Sequence, residues 1–207
     1  MRPNTVIKTL GTLQGNITVI CNNYSDKDFS FVKELYPEVN FIRGNNAKGC
    51  SEKLRYIGQG NSEYIAMCDD DLLYPRDYFT RLPGNEIISY HGSVLKSGRI
   101  KNYYKDRKVY HCLYEVHSDV NVDIIGSGVC IFRRDLFSDV DKLYNYVKHP
   151  NMTDIYLSYF ARLKGIKRVV LKHERGWIKS QGVKDSIHAS HKNNCEQQTM
   201  FINKIWN

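Results

Sequence analysis

Short apolar runs rich in β-branched residues recur along the chain, and helix-patterned stretches separate several of them. The runs are ITVIC (17–21), NFIRG (40–44), YIAMC (64–68), EIISYHG (86–92), VDIIGSGVCIF (122–132) and RVVLKH (168–173). They have the length and composition of strands. Helical pattern falls on 30–35, 51–57, 76–82 and, most clearly, 153–163. In the last, Ile155, Tyr156, Tyr159, Phe160 and Leu163 share one face, Thr153 is placed to cap the start and Gly165 to end it. Strand and helix alternating at this rate predict an α/β sandwich around a mostly parallel sheet. At 207 residues and 42% hydrophobic content the chain suits one domain, spanning 1–207.

Two stretches break the alternation. Between 96 and 118, Tyr103, Tyr104, Tyr110 and Tyr114 sit among basic residues without a period, as in an irregular insertion or hairpin. The polar stretch 179–194 precedes a terminal helix at 196–206. No apolar run approaches the ~18 residues of a membrane span. The opening MRPNTVIKTL lacks the apolar core of a secretory signal, so a cytoplasmic protein with no membrane span is expected. Six cysteines without C-x-x-C spacing read as reduced thiols, with Cys21, Cys68 and Cys130 inside apolar runs. The formal charge of +8 favours polyanionic partners, whether nucleic acid, anionic membrane or phosphorylated small molecules.

The segment YIAMCDDDLLYP carries the sharpest chemistry, because an apolar strand runs directly into Asp69, Asp70 and Asp71. Adjacent carboxylates at the end of a buried strand are costly unless a cation neutralises them. Hard oxygen donors suit Mg²⁺ or Mn²⁺, which bridge phosphate oxygens. A solvated acidic turn is the bland alternative. Gly126-Ser127-Gly128 lies between two apolar runs, where glycine marks a bulge or a close approach of backbone to a ligand.

These segments resemble GT-A glycosyltransferases, family-2-like and particularly virus-encoded ones. The strand with its acidic end is similar to the D-x-D motif. CNNYSD (21–26), EIISYHGSVL (86–95), IIGSGVCIFRRDLF (124–137), NMTDIYLSYFARLKGI and VLKHERGW (151–177) follow in the family's order. The resemblance implies a transferase moving a sugar from a nucleotide-diphosphate donor, by default a UDP-sugar, to a glycan or glycoprotein acceptor, with inversion. It implies Mn²⁺ or Mg²⁺ held by Asp71, with Asp69 at the ribose or a metal-bound water, Asp70 near the donor sugar, and His173 completing the metal site. A histidine that merely ends a strand is the other reading of His173. Asp154 corresponds to the catalytic base, although the helix dipole alone favours an acid there. Gly126, Ser127 and Gly128 correspond to the loop beneath the donor sugar. Asn22 and Asn23 are candidates for the base, and Lys48 or Lys53 for the diphosphate. Trp177 is an acceptor or donor-sugar contact by analogy, and equally a core tryptophan. The family's opening nucleotide-contacting strand is expected to be absent or truncated, since the sequence opens on the helix-like NTVIKTLGTL, with Arg2 the expected remnant of the segment that follows it. The resemblance also implies a nucleotide and metal half over about 1–95 and an acceptor half over about 96–207.

The rival reading is a metal-dependent nucleic-acid-processing enzyme or a basic nucleic-acid-binding module, resting on the charge and on tyrosines interleaved with basic residues. No recognised nucleic-acid motif accompanies them, so no nucleic-acid partner is expected. A catalytically silent, lectin-like module is weaker, since both the acidic cluster and Asp154 are present.

Overall fold

The computed structural model describes residues 2–183 and 195–206. Helix α1 (Pro3–Leu10) starts with proline in the first turn, where the missing N–H costs nothing. Strand β1 (Thr18–Asn22) pairs in parallel with β2 (Asn40–Gly44) across α2 (Asp26–Leu35). Ser25 caps α2, its hydroxyl accepting from Asp28 N at 3.0 Å. The helix therefore begins four residues before the apolar pattern at 30–35. Val6, Leu10, Cys21, Val32 and Phe41 fill a small core between these elements.

The central sheet has five strands: β3 (Tyr64–Cys68), β5 (Glu86–Ser89), β8 (Val120–Asn121), β10 (Val129–Arg133) and β11 (Lys167–Val170). Their order is β3-β10-β5-β11-β8. Only β5 and β11 pair in parallel; β10 runs antiparallel to both β3 and β5, and β8 antiparallel to β11. The mostly parallel sheet expected from the sequence is thus a mixed one. Parallel neighbours need a long crossover, usually a helix. Between β5 and β10 the chain forms no helix, only β6 (Gly92–Leu95), β7 (Arg107–Tyr110), β8 and β9 (Ile124–Ile125), so β10 enters the sheet reversed. Strands β7, β6 and β9 make a second, antiparallel sheet.

Two apolar runs read as single strands are each broken in two. EIISYHG bends after Ser89, whose hydroxyl donates to His91 O at 2.8 Å. VDIIGSGVCIF divides at Gly126-Ser127-Gly128 into β9 and β10. Strand β10 is covered on both sides: Cys130 and Phe132 belong to the main core, Val129 and Ile131 to a cluster with Tyr74, Tyr78, Tyr90, Leu171 and Ile178. Each large side chain so buried contributes about 1.5–3 kcal/mol.

The stretch 51–57 forms a 3-10 helix, Gly49–Tyr56. The stretch 76–82 is not helical. Tyr74 and Tyr78 both point inward, ring centroids 4.8 Å apart, and turns close from Pro75 O to Tyr78 N and from Asp77 O to Thr80 N. In so short a segment that packing outweighs helix formation. Helix α3 (Val140–Tyr146), outside the four helical stretches expected, buries Val140 and Leu143. Helix α4 (Thr153–Leu163) stands where its pattern predicts and ends at Gly165, whose φ of 68° is the left-handed conformation of a helix terminator. Its cap differs: Met152 takes that place, and Thr153 Oγ1 turns to Ser51 Oγ and Cys50 Sγ, each at 3.0 Å. The buried face comprises Ile155, Tyr156, Leu157, Ser158 and Ala161, whereas Leu163 is 63% exposed.

The irregular stretch 96–118 is largely the β6–β7 hairpin and its loop. Tyr103 is buried, Tyr104 and Tyr110 pack on the main core, and Arg107 lies over the Tyr103 ring at 4.1 Å. Of the polar stretch 179–194, Lys179–Ser180 forms β12, antiparallel to β4 (Leu72–Leu73), while 184–194 lie outside the described residues. The last helix, α5, is Glu196–Ile205. Among the described residues no helix is long and apolar enough to cross a membrane, and all six cysteines are unpaired.

Candidate active site

Strands β3, β5 and β11 run one way and β10 the other. One edge of the sheet therefore gathers Asp69 to Asp71 after β3, His91 after β5, His173 after β11, and Gly126-Ser127-Gly128 before β10. The glycine-rich turn touches its neighbours closely. A Cβ on Gly126 would lie 2.8 Å from His91 Cβ, and one on Gly128 would lie 1.9 Å from Asp69 Oδ2. Both glycines let side chains of the protein itself, His91 and Asp69, come close to the backbone.

Ser127, between them, is the node of the site. Its N–H donates to Asp154 Oδ1 at 2.8 Å, and its carbonyl accepts from Lys53 Nζ at 3.0 Å. The same ammonium pairs with Asp69 Oδ1 at 2.9 Å. Burial alone would push Lys53 down, but Asp69, Cys50 and Asp154 outweigh it and hold the ammonium above the usual lysine range. Lys48 is engaged elsewhere, its ammonium bonded to Tyr144 O and lying over the Tyr144 ring. Lys53 is thus the lysine at the acidic cluster.

Tyr74 fixes the backbone here. Its hydroxyl donates to Gly128 O at 2.6 Å and accepts from Asp69 N at 2.8 Å, while Asp69 N also approaches Gly128 O at 3.2 Å. Arg2 pairs with Asp70 at 2.6 Å and Asp71 at 3.3 Å. Three carboxylates therefore face two cations. Burial raises the Asp70 carboxyl, Arg2 opposing and Asp69 adding to the shift. Burial and Asp69 raise Asp71 against the pull of Arg2. Helix α1 supports the same segment, since Thr9 Oγ1 bonds to Asp70 O and Leu72 O, and Gln181 Nε2 donates to Thr9 Oγ1 at 2.8 Å.

Asp154 sits in the first turn of α4. Burial raises its carboxyl above the ordinary range, against hydrogen bonds from Ser127 and the charge of Lys53, with Asp69 adding to the rise. Asn22, at the end of β1, donates through Nδ2 to Gly49 O at 3.1 Å, and its buried Oδ1 has no partner. Asn23 is exposed with φ 55°, a turn conformation that asparagine tolerates. The buried Tyr24 hydroxyl is likewise unpartnered, and its neighbours include Cys21, Asp70 and Arg2.

His173 does not join the carboxylates. It is 8% exposed, with Nδ1 2.8 Å from Leu171 O and Nε2 3.4 Å from His111 O. Among the described residues, the group of three or more His, Cys, Asp or Glu ligand atoms close enough to share an ion is His91, His111 and Cys112, not the aspartates with His173. Among the described residues Asp69, Asp70 and Asp71 do not form such a group by themselves either: Lys53 holds Asp69 and Arg2 holds Asp70 and Asp71, although their oxygens are donors of the class that hard divalent cations take. Trp177 is partly buried against Tyr90, ring centroids 4.5 Å apart, which is the core reading of that residue.

No local pattern marks Tyr74 or Gln181 as supports of the acidic segment. His91 lay in plain sight within EIISYHG, but only the fold brings His111 and Cys112 to it. No protein-family model matches the chain, and no curated protein matches it in sequence.

Proposed function

We propose that the chain is a metal-dependent glycosyltransferase that moves a sugar from a nucleotide-diphosphate donor, by default a UDP-sugar, to a glycan or glycoprotein acceptor with inversion. The observation that carries this reading is the chain of contacts Asp69–Lys53–Ser127–Asp154, which joins the acidic end of β3 to the carboxylate of α4 through the glycine-rich turn. An inverting transfer needs an electrophile-binding region and a base on its acceptor side. A divalent ion held by Asp71 and Asp69 would supply positive charge for the departing diphosphate.

The residues of the chain would do the rest. Lys53 and Arg2 add fixed positive charge near the diphosphate, as a lysine point charge and an arginine fork respectively. The unpartnered Asn22 Oδ1 and Tyr24 hydroxyl offer polar atoms to a nucleoside at the end of β1. Asp154, held by Ser127 N and with its carboxyl raised, would take the acceptor hydroxyl proton onto a carboxylate oxygen. The nucleic-acid reading loses its aromatic support, because Tyr103, Tyr104 and Tyr110 pack on the core and only Tyr114 of the four is well exposed.

Thermal unfolding with UDP, in Mn²⁺ and in EDTA, tests the reading. A ligand at a hundredfold over its Kd stabilises by about 2.7 kcal/mol, a readily visible shift. We expect that shift in Mn²⁺ and little in EDTA. Equal shifts in both, or none in either, would overturn it.

A further inference from the structure

His91, His111 and Cys112 meet at the same edge of the sheet from two different connections, the β5–β6 bend and the segment following β7. One ligating atom from each lies within 4.8 Å of the other two. The imidazoles stand edge to face, ring centroids 4.7 Å apart, and Cys112 Sγ is 3.9 Å from His111 Nδ1. A tetrahedral zinc site, with bonds of ~2.0–2.1 Å to nitrogen and ~2.3 Å to sulfur, sets its ligand atoms roughly 3.4–3.6 Å apart, so side-chain movement of about 1 Å closes the trio.

The surroundings hold these side chains in place. His91 is pinned at the backbone, its carbonyl accepting from Gly126 N at 2.7 Å and its N–H donating to Ser89 Oγ at 3.2 Å. The His91 ring lies over Gly126, where no larger residue fits. His111 Nδ1 accepts the Leu113 N–H at 3.2 Å, so that nitrogen carries a lone pair and no proton. Cys112 is only 5% exposed.

We propose that His91, His111 and Cys112 bind a zinc-class divalent cation through two imidazole nitrogens and one thiolate, with a fourth position left to water or a ligand. This donor set is borderline to soft, whereas Asp69 to Asp71 offer only hard oxygens, so the two places select different ions. On binding, the Cys112 thiol gives its proton to solvent and the sulfur bonds to the metal. The Leu113 N–H gives up Nδ1 if that nitrogen ligates. The inference does not depend on the glycosyltransferase reading, because no residue is shared between the two sites.

Titration of the full chain with Co²⁺ reads the site directly, since a thiolate-to-cobalt charge-transfer band in the near ultraviolet requires a sulfur ligand that aspartates cannot supply. The parent chain should show the band at one equivalent of Co²⁺ and lose it when Zn²⁺ is added. Cys112→Ser should show no band, and Cys21→Ser, in the core beside α1, should keep it. His91→Ala and His111→Ala should bind roughly tenfold or more weakly, at least the loss typical of outer partners. Circular dichroism checks folding; were Cys112→Ser unfolded, the histidine variants would carry the test. A parent chain without the band, a band that survives in folded Cys112→Ser, or histidine variants that bind like the parent would each overturn the proposal.

Discussion

Ser127 N donates to Asp154 Oδ1 at 2.8 Å, tying the first turn of α4 to the turn that precedes β10. The bond orients the carboxylate, and burial raises its pKa. Asp154→Asn keeps an oxygen acceptor for Ser127 and most of the shape. Transfer should fall by about 10² to 10⁴, the usual worth of a general base, while Mn²⁺-dependent UDP binding stays near parental. In the parent the rate should rise with pH, because the base must be ionised, with a midpoint above the ordinary aspartate value of about 3.9. Rate measurements across pH on both proteins check this; near-parental turnover in Asp154→Asn removes the residue from catalysis.

Asp71 makes a second prediction, with its sign set by linkage. A carboxyl whose folded pKa is raised favours folding while protonated, and that contribution disappears as pH rises through the folded pKa. At neutral pH without metal, Asp71 is therefore a liability to the fold. Asp71→Asn should raise the metal-free Tm at pH 7, and the advantage should shrink on acidification. The same variant should lose the Tm gain that Mn²⁺ with UDP gives the parent. Scanning fluorimetry from pH 7 down to about 4, the ordinary aspartate value, with and without Mn²⁺, measures both effects.

Gly128→Ala tests the close approach of the turn to the acidic cluster. The added Cβ would lie 1.9 Å from Asp69 Oδ2, so the carboxylate must swing away and leave Lys53. An ion pair whose carboxylate is about half exposed contributes at most about 1 kcal/mol, so UDP binding in Mn²⁺ should weaken by up to roughly fivefold in a protein that still folds. Calorimetry showing parental affinity would mean that the Asp69–Lys53 pair is not needed for the donor.

Much of this was legible in the residues, and the exceptions share a cause. Short-range signals held: Thr153–Leu163 and Gly165 mark α4, and YIAMC marks β3. What failed depends on partners distant in sequence. No local pattern says that β10 will lie reversed between β3 and β5, since strand direction is set by the route of the connection. The 76–82 stretch carries helical periodicity, yet Tyr78 earns its place by packing on Tyr74 and Tyr90. The expected strand RVVLKH stops at Val170, so His173 lies three residues beyond β11, where an isolated bridge with Val116 and the carbonyls of Leu171 and His111 hold it. Lys48 and Lys53 are alike in local sequence, and only the fold separates them, by placing Tyr144 under Lys48 and Asp69 beside Lys53.

Strand β10 also limits how the site can vary. Val129 and Ile131 face one core, Cys130 and Phe132 the other, and the strand is in register with β3 and β5 at once. One residue inserted or deleted between Gly126 and Val129 would either exchange the two faces or push the whole adjustment into the turn that holds Ser127. The length of that turn is therefore dictated by packing on both sides of the sheet, and variation among sequences of this fold should come as substitutions at Ser127 rather than as longer or shorter turns.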